Sequence, residues 1–347
     1  MTASMDDETT MMGHNSNDKA NQDAEIENEI AELERRLAEA KTKRRQRGMN
    51  TRSEDECIIK QPLNDTPSRP LLNANNSNNS SAQHFLLLLS DSALPLGSFA
   101  FSSGLESYLA HSKAGLSPSP LPGAAPGGSF STFLPLSISS YASTTLPFLL
   151  AAHRDPSFAS IVDLDDALDA TIICTVGRRA SIAQGRALLS IWDRSFAAGF
   201  ATTDEKKYNA NPVAAATLKP FVALLKTSSS SDSTTGNGGA AMPPPVAAHL
   251  APLFGAICNL VGLSLEQTAY VFMLGHVKAL VSAAVRAGMF GPYQAQMTLA
   301  GGTVQGLITA MIEREWDTPI KKAGQRLPVM DLWFGRHEVL YSRIFNS

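Results

Sequence analysis

The sequence predicts an all-α protein, with a single helical bundle domain over residues 83–347 and a mostly disordered tail over 1–82. One observation is helical periodicity, with apolar residues four apart at Leu164, Leu168, Ile172 and Val176. The other is the spacing of Ser264 and Gln267 ahead of an apolar run, which is typical of a capping box at a helix start. Both patterns belong to helices, and they lie about 90 residues apart in the same predicted domain.

The amino-terminal tail contains one predicted helix, near residues 24–47. Acidic residues dominate its first half and basic residues its second half, which suits the helix dipole. Apolar residues form a stripe at alternating steps of four and three: Ile26, Ile30, Leu33, Leu37 and Ala40. About two heptads are too few to establish a coiled coil. A solvated helix and a docking helix therefore both stay open.

Composition narrows the classes of function. The chain has 347 residues, a net charge of −3 and 44% hydrophobic residues, so it can form a sizeable core and gives no reason to expect nucleic acid as a partner. Cys57, Cys174 and Cys258 are odd in number and far apart. They suggest neither a disulfide framework nor a zinc site, and their usage suits a reducing, cytoplasmic setting.

Two apolar windows, Val246–Leu263 and Val271–Val285, approach the length of a membrane span. The first contains His249, and the second contains His276 and Lys278. We therefore interpret both as buried helices of a bundle, with no membrane span and with His276 as a hydrogen-bonded core residue.

A rigid turn is predicted at residues 94–97. Pro95 fixes its own φ and favours an extended Leu94, and Gly97 permits a backbone shape that other residues resist. A short buried helix is expected before the turn. A second helix is expected from about Ser98, with its hydroxyl as the N-cap.

Further along the chain, composition predicts flexible loops near 113–129 and 227–245, which are rich in Pro, Gly and Ser. Helix is expected mainly between Pro135 and Pro147. The helix predicted most strongly starts at Asp163, as N-cap, and continues to Trp192.

Five more features complete the predicted bundle. Gly185, inside the helix that begins at Asp163, indicates close packing. The other predictions are a short helix over 212–226, an apolar helix ended by Gly262, a helix over 265–287, and a helix over 294–314 weakened by two glycines.

Several strings resemble the urease accessory protein F (UreF) family. They are SDSALPLGSFAFSSGLESY at 90–108, an Arg-Ala-Ser-x-x-x-Gly-Arg run at 179–186, SAAVR at 282–286 and HEVLYSRIFNS at 337–347. Two departures stand out: Phe101 replaces a frequent histidine, and residues 289–294 replace a Pro-Leu-Gly-Gln segment. Leaving aside the insertions, the resemblance spans residues 85–347.

The resemblance implies an all-helical accessory protein without catalytic activity of its own. Such a protein bridges a UreD/UreH scaffold and the GTPase UreG, and so enables GTP-dependent nickel insertion into apo-urease. The implied partners are these three proteins and a second copy of the chain. No stably bound cofactor is expected, because nickel is handled by the complex.

The resemblance also implies a partner-binding face for UreG and UreD, in which Phe99 and Arg343 occupy UreG-docking positions. The remaining residues assigned to this face by matched position are Pro95, Gly97, Ser98, Gly104, Glu106, Arg186, Arg286, His337, Glu338 and Tyr341. Arg336 and Arg343 are seven apart, so they are expected to share one helix face.

No catalytic or metal-binding motif is evident. The seven histidines lack ligand spacing, and the chain has no GxSxG, phosphate-loop or CxxC motif. Two alternatives stay open. One is a general helical scaffold unrelated to nickel. A urease gene in the same genome would argue against this alternative. The other is a nickel-binding protein using His337, which metal titration would test.

Overall fold

The computed structural model describes residues 31–32, 35–36, 38, 77–113, 129–200, 216–231 and 246–346. The chain divides into two compact units, Met1–Leu71 and Leu72–Ser347. In the first unit the described residues are helical, and Arg35 pairs with Glu32 at 2.8 Å. This confirms the predicted charged helix at those positions, whereas its other residues lie outside the described part of the chain.

The described residues of the second unit are helical with irregular connections, as predicted. Its α-helices are α1 (Ser77–Ser90), α2 (Leu105–Lys113), α3 (Phe130–Arg154), α4 (Phe158–Thr171), α5 (Thr175–Ile191), α6 (Ala197–Phe200), α7 (Lys219–Ser231), α8 (Leu250–Leu260), α9 (Leu265–Arg286), α10 (Pro292–Ala300), α11 (Gly302–Glu315) and α12 (Pro328–Arg336). A π-helical turn, Trp192–Phe196, joins α5 to α6.

Helix α1 begins at Ser77, so residues 77–82, which the sequence assigns to the tail, are helical. Once a buried turn has nucleated a helix, adding polar residues to its end costs little. The buried part of α1 is its carboxy-terminal end, where Leu89 lies in the core. Lys278 Nζ donates to the Ser90 carbonyl at 2.6 Å and so caps the last turn.

Helix α3 runs through both prolines, so the prediction that helix lies mainly between Pro135 and Pro147 is wrong. Pro147 has no N–H to give to the Ser143 carbonyl. That carbonyl instead accepts the Gly324 N–H at 3.0 Å, from a loop far along the chain. A distant backbone donor thus replaces the bond that the proline removes.

The predicted helix from Asp163 to Trp192 is two helices, and Asp163 is not its N-cap. Helix α4 starts at Phe158, capped by the Ser157 hydroxyl. The chain breaks at residues 172–174, where Ile173 is 79% exposed. The Arg178 guanidinium donates to the carbonyls of Asp169 and Ile172 and closes the end of α4.

A buried carboxylate fixes the approach to α8. Asp165, which is fully buried in the middle of α4, accepts backbone N–H groups from Ala247, Ala248 and His249 at 2.6, 3.0 and 2.6 Å. Gly185 of α5 lies so close to the Ala248 carbonyl that a side chain would collide with it, which confirms the predicted close packing. We refer to Asp165 and residues 247–249 as the Asp165 brace.

The loop predicted over 227–245 begins later than expected, because α7 continues to Ser231. Burial of Phe221 and Val222 anchors α7, and the Thr227 hydroxyl bonds back to the Leu224 carbonyl at 2.8 Å. Residues 232–245 lie outside the described part of the chain, as do residues 212–215 of the helix predicted over 212–226. Of the other predicted loop, over 113–129, the structure describes only the two ends: Lys113 is the last residue of α2, and Ser129 is at the N-cap position of α3.

Two predictions for the connection between α8 and α9 are confirmed: the helix end at Gly262 and the capping box of Ser264 and Gln267. Gly262 has a left-handed φ of 83°, and the N–H groups of Gly262 and Leu263 close the end of α8 on Asn259 and Cys258. Ser264 and Gln267 form the reciprocal capping box. The helix predicted over 294–314 is divided at Gly301 into α10 and α11.

The core is centred on α3, which packs against α8, α9 and α11. Helices α3 and α9 are each long and apolar enough to cross a membrane, yet 72% and 67% of their most apolar windows are buried inside the fold. His276 of α9 stacks on Tyr141 at 3.9 Å and bonds to the Ser137 hydroxyl at 3.1 Å, as predicted for a core histidine. Packing against neighbouring helices thus accounts for their apolar character.

Candidate partner-binding surface

The predicted turn before the surface is present, and local bonds form it. The Asp91 carboxylate accepts the Ala93 N–H at 2.9 Å, and the Leu96 N–H donates to the Leu94 carbonyl at 2.8 Å, around Pro95. Gly97 follows with a φ of 73°, in the left-handed region that favours glycine. Pro95 and Gly97 are exposed, so the turn is presented to solvent.

The helix predicted from Ser98 is wrong. Residues Ser98–Ala100 form a single 3₁₀ turn without a side-chain cap, and α2 starts only at Leu105. Ser103 and Gly104 both have positive φ, 52° and 81°, and two consecutive left-handed residues cannot continue a right-handed helix. This irregular stretch leaves the Ala100 carbonyl free to accept a hydrogen bond from Asn346 near the carboxy terminus, and the Phe99 carbonyl free to accept one from Arg286 of α9.

Gly104 also sets how closely this stretch packs on α12. A Cβ there would lie 3.3 Å from Trp333 Cβ and 3.4 Å from the Phe334 nitrogen. Beside it, the Tyr108 ring meets the Trp333 ring edge to face at 4.8 Å. Gly104 is buried, so its structural role is to allow contact between α2 and α12.

The carboxy-terminal segment follows α12 and is not a continuous helix. A 3₁₀ turn, His337–Val339, follows Arg336, and residues 340–346 are irregular. The prediction that Arg336 and Arg343 share one helix face is therefore wrong. We call residues 340–346 the tail segment.

One carboxylate holds the tail segment. Glu106, in the first turn of α2, accepts His337 Nε2 at 2.9 Å and the backbone N–H groups of Ile344 and Phe345 at 2.7 and 3.2 Å. The His337 side chain is fully buried and that of Glu106 is 12% exposed. We call this arrangement the Glu106 clasp.

The side chain of Phe345, 5% exposed, fills a small socket beside the clasp. The Arg286 guanidinium lies 4.3 Å from the centre of its ring and also donates to the Phe99 carbonyl. The Asn346 N–H donates to the Ala100 carbonyl at 2.8 Å. Partial burial lowers the pKa of the Arg286 guanidinium, which nevertheless stays charged near neutral pH.

Glu338 forms a second link, to α5. Arg179 Nη2 lies 2.7 Å from Glu338 Oε1, and this hydrogen bond and the positive charge of Arg179 lower the pKa of the Glu338 carboxyl. Arg186, in the second half of α5, instead donates from Nε to the Ala247 carbonyl at 3.1 Å, beside the Asp165 brace. The structure therefore brings most of the predicted face together but places Arg186 in another environment.

Around the clasp, apolar side chains face solvent. Tyr341 is fully exposed and Ile344 is 63% exposed, whereas the neighbouring Phe345 is buried. Arg343 is exposed between them. Further exposed apolar residues on α12 and the 3₁₀ turn are Val329, Leu332 and Val339. A cluster of this kind is typical of a protein-docking surface.

Sequence reasoning assigned no site role to Phe345 or to the Ala100 carbonyl. Two adjacent apolar residues, Ile344 and Phe345, were visible in the sequence, but the pattern does not say which of them is buried. The carbonyl of Ala100 carries no side-chain signal at all. Only the packed structure distinguishes these groups.

A partly open cavity of about 170 Å³ lies next to this surface. Its lining mixes apolar and hydroxyl-bearing side chains, including Phe99, Phe101, Tyr141, Ser181, His276 and Phe334. Burial lowers the pKa of His276 to about 3, so its imidazole is neutral at physiological pH. Among the described residues, no group of three or more His, Cys, Asp or Glu side chains could hold a metal ion.

A Ser–His–Asp chain occurs near the cavity. His249 contacts the Ser181 hydroxyl and Asp169, both at 3.0 Å. Ser181 lies within α5 and accepts the Leu250 N–H at 3.4 Å, and His249 is fully buried. We interpret these bonds as an extension of the Asp165 brace, which ties α4, α5 and α8 together.

Fold and surface together define an all-helical protein in which two distant parts of the chain meet beside exposed apolar side chains. Comparisons with known proteins agree. Residues 127–301 match the UreF family model. The chain is 34% identical over 264 residues to an uncharacterized UreF-like urease accessory protein of Schizosaccharomyces pombe, covering 76% of this chain and 97% of that relative.

Plant and fungal relatives extend the match. Urease accessory protein F of Oryza sativa subsp. japonica is 30% identical over 74% of this chain and 82% of the relative. Urease accessory protein 6 of Cryptococcus neoformans is 27% identical over 76% of this chain and 96% of the relative. The chain belongs to the UreF family.

Proposed function

We propose that this chain acts in urease maturation as an adaptor, bridging a UreD/UreH-type scaffold and a UreG-type GTPase so that nickel enters apo-urease in a GTP-dependent step. The observation that carries the proposal is the Glu106 clasp, because it joins the two strings that resemble the family most closely. Residues 90–108 and 337–346 form one surface, although they are separated by most of the domain.

The chemistry of this surface supports docking. Tyr341, Arg343 and Ile344 are exposed, and hydrogen bonds from the backbone N–H groups of Ile344 and Phe345 to Glu106 partly set the position of this end of the segment before a partner arrives. Tyrosine and arginine are among the residue types that contribute most to the binding energy of protein interfaces. The exposed Pro95–Gly97 turn and the half-buried Phe99 belong to the same string, and Phe99 is one of the two positions that the family resemblance assigns to UreG docking.

Three further expectations belong to the proposal. The chain has no enzymatic activity of its own and no resident cofactor, and nickel is cargo of the assembled complex. It works in the cytoplasm and forms a homodimer. Light scattering of the purified chain measures its oligomeric state directly.

Co-purification with the organism's UreD-like and UreG-like proteins tests the bridging role. The unmodified chain is expected to form a ternary complex. Arg343→Ala is expected to weaken recruitment of the GTPase at least tenfold without changing the fold, since Arg343 is exposed. Arg194→Ala, which removes another exposed arginine, is the matched control.

Two results would contradict the proposal. Unchanged recruitment by Arg343→Ala would remove the role of this residue. Failure of the unmodified chain to bind either protein would remove the adaptor role and would favour a helical scaffold with unrelated partners.

A further inference from the structure

The partly open cavity of about 170 Å³ has the size of a site for a small molecule. Helices α3, α9 and α12 and the irregular stretch before α2 all contribute side chains to its wall. For comparison, an engineered cavity of about 150 Å³ in another protein holds one benzene molecule. Mostly apolar walls with a few well-placed polar groups are typical of small-molecule sites. The cavity therefore suits a molecule with a single ring and a short side chain.

Aromatic rings form much of the cavity wall. The Tyr141 ring stacks on those of Phe272 and His276, with ring centres 5.2 and 3.9 Å away. Rings from other parts of the chain that also line the cavity are Phe99, Phe101 and Phe334. Such rings pack well against a flat apolar group, and the faces of phenylalanine and tyrosine also attract a nearby cation.

A hydrogen-bonded network forms the polar part of the wall. The Ser140 hydroxyl donates to Gln325 Oε1 at 2.9 Å, and Gln325 Nε2 donates to Asp331 Oδ1 at 3.2 Å. The Thr144 hydroxyl donates to the Ser140 carbonyl at 2.8 Å. Each hydroxyl has one proton and has given it to the protein, and an ionised carboxylate has none to give. A ligand that contacts these groups must therefore supply the hydrogen-bond donors.

The charge of the cavity wall also favours a donor. Among the described residues that line it, the charged side chains are those of Asp91, Asp331 and Lys278, which gives two carboxylates and one ammonium. Lys278 Nζ already donates to the Ser90 carbonyl at 2.6 Å. His276 adds no positive charge at neutral pH, because burial lowers its pKa to about 3. A cationic ligand is thus favoured over a neutral or anionic one of the same shape.

Asp331 and Phe334 place a carboxylate beside an aromatic ring. They are three residues apart in α12, so they share one face of the helix, and both line the cavity. Gln325 holds the Asp331 carboxylate, and the Ser140 hydroxyl and the Leu327 N–H in turn hold Gln325 Oε1, at 2.9 and 3.0 Å. These bonds orient the carboxylate without neutralising its charge.

We propose that this cavity is a binding site for a small aromatic amine, a single ring on a short chain that ends in an ammonium group. The ring packs against the aromatic wall, and the ammonium donates to Asp331 and to the hydroxyl oxygens of α3. The amine is a reversible ligand and not a cofactor. Binding of this ligand goes beyond the proposed role in urease maturation and does not depend on it.

The test is isothermal titration calorimetry of the full chain with three ligands that share one ring. They are 2-phenylethylamine, the neutral 2-phenylethanol and the anionic phenylacetate. The amine is expected to bind one to one, with a dissociation constant of about 1 mM or below, which is ordinary for a ligand of this size. Its affinity should be at least tenfold higher than that of the alcohol, and phenylacetate should bind most weakly of the three.

Asp331→Asn separates a role in recognition from a role in structure. The variant keeps the shape of the side chain and an acceptor for Gln325, but it removes the charge. Affinity for the amine should fall at least tenfold and affinity for the alcohol should not change, whereas damage to the cavity would weaken both. Asp163→Asn is the matched control, because Asp163 is exposed and does not line the cavity. Circular dichroism and thermal unfolding show whether each variant is folded.

The order of the three affinities is measured on the unmodified chain, so the proposal is tested even if a variant does not fold. Three results would overturn it: no saturable binding of 2-phenylethylamine, phenylacetate binding as tightly as the amine, or folded Asp331→Asn binding the amine as tightly as the unmodified chain does.

Discussion

Two carboxylates in this protein accept similar sets of hydrogen bonds in different environments. Asp165 accepts three backbone N–H groups, from residues 247–249, and is completely buried. Glu106 accepts two backbone N–H groups and one imidazole N–H, and its side chain is 12% exposed. The Asp165 brace joins helices of the core, whereas the Glu106 clasp attaches a segment on the surface.

The difference shows that the effect of a hydrogen-bonded carboxylate depends on where its donors can go once it is lost. Donors held inside a packed core stay there unsatisfied, and each costs about 1–3 kcal/mol. Donors on a surface segment can turn to water when the segment detaches. We therefore expect the brace to control folding and the clasp to control which surface is displayed.

The largest expected effect comes from Asp165→Ala. Three buried N–H groups lose their acceptor, and the free energy of unfolding should fall by about 4 kcal/mol. Asp165→Asn keeps one acceptor oxygen, so its free energy of unfolding should lie between those of Asp165→Ala and the unmodified chain. Denaturant unfolding measures both, and the exposed Asp166→Ala is the control. A loss below 1 kcal/mol would show that the two regions do not differ as described.

The pH dependence of stability should also come from the core. Burial lowers the pKa of His276 from 6.5 to about 3, so between these values the unfolded chain binds the proton and the folded chain does not. Stability is therefore full above pH 6.5 and falls by about 1.4 kcal/mol for each pH unit below it. Burial also lowers the pKa of His153, and this adds a contribution of the same sign.

Unfolding curves at pH 7, 6 and 5 check this contribution. His276→Gln keeps a polar group near Ser137 and should remove about 2 kcal/mol of the loss between pH 7 and pH 5. The exposed His84→Gln should leave the slope unchanged. An unaltered slope in His276→Gln would place the pH dependence elsewhere.

Glu106→Ala should have a smaller effect on global stability, at most about 1.5 kcal/mol, because the tail segment can detach and its donors can be hydrated. Its local effect should be larger: the amides of Ile344 and Phe345 should lose at least tenfold of their protection from hydrogen exchange. Exchange measured residue by residue distinguishes the two effects. A fall in stability as large as that of Asp165→Ala would make the clasp part of the core.

The smallest effect is expected for Arg179→Ala. The ion pair with Glu338 is exposed, at 56% and 43% of the two side chains, and solvent and salt screen such pairs. The unfolding temperature should not change measurably, and protection of the Phe345 amide should be retained. Loss of that protection would show that the link to α5, as well as Glu106, holds the tail segment.

Several local signals in the sequence predicted local structure correctly, although Ser98 and Asp163 are not the N-caps that were expected. The capping box at Ser264, the helix end at Gly262 and the turn around Pro95 were all correct, because in each case the interacting groups are a few residues apart. The close packing at Gly185 was predicted for a similar reason, since a glycine inside a helix signals that something approaches it. The partner-binding face came mainly from the family resemblance.

The errors arose where distant groups decide the outcome. Pro147 was expected to limit its helix, but the Gly324 N–H replaces the missing donor from another part of the chain. The helix through Leu164 and Val176 was expected to be continuous, but it breaks at 172–174, between the contacts that Asp165 and Ser181 make with residues near His249. Periodicity alone carries no information about such partners.

By itself, then, the sequence determined the helical class, the capping box at Ser264, the helix end at Gly262, the turn around Pro95 and the family, since these depend on residue types at short spacing. Tertiary structure alone decided what the two carboxylates do. Their side chains are chemically alike, and nothing nearby in the sequence distinguishes them. Asp165 finds its donors 82 to 84 residues away inside the core, and Glu106 finds its donors 231 to 239 residues away at the surface.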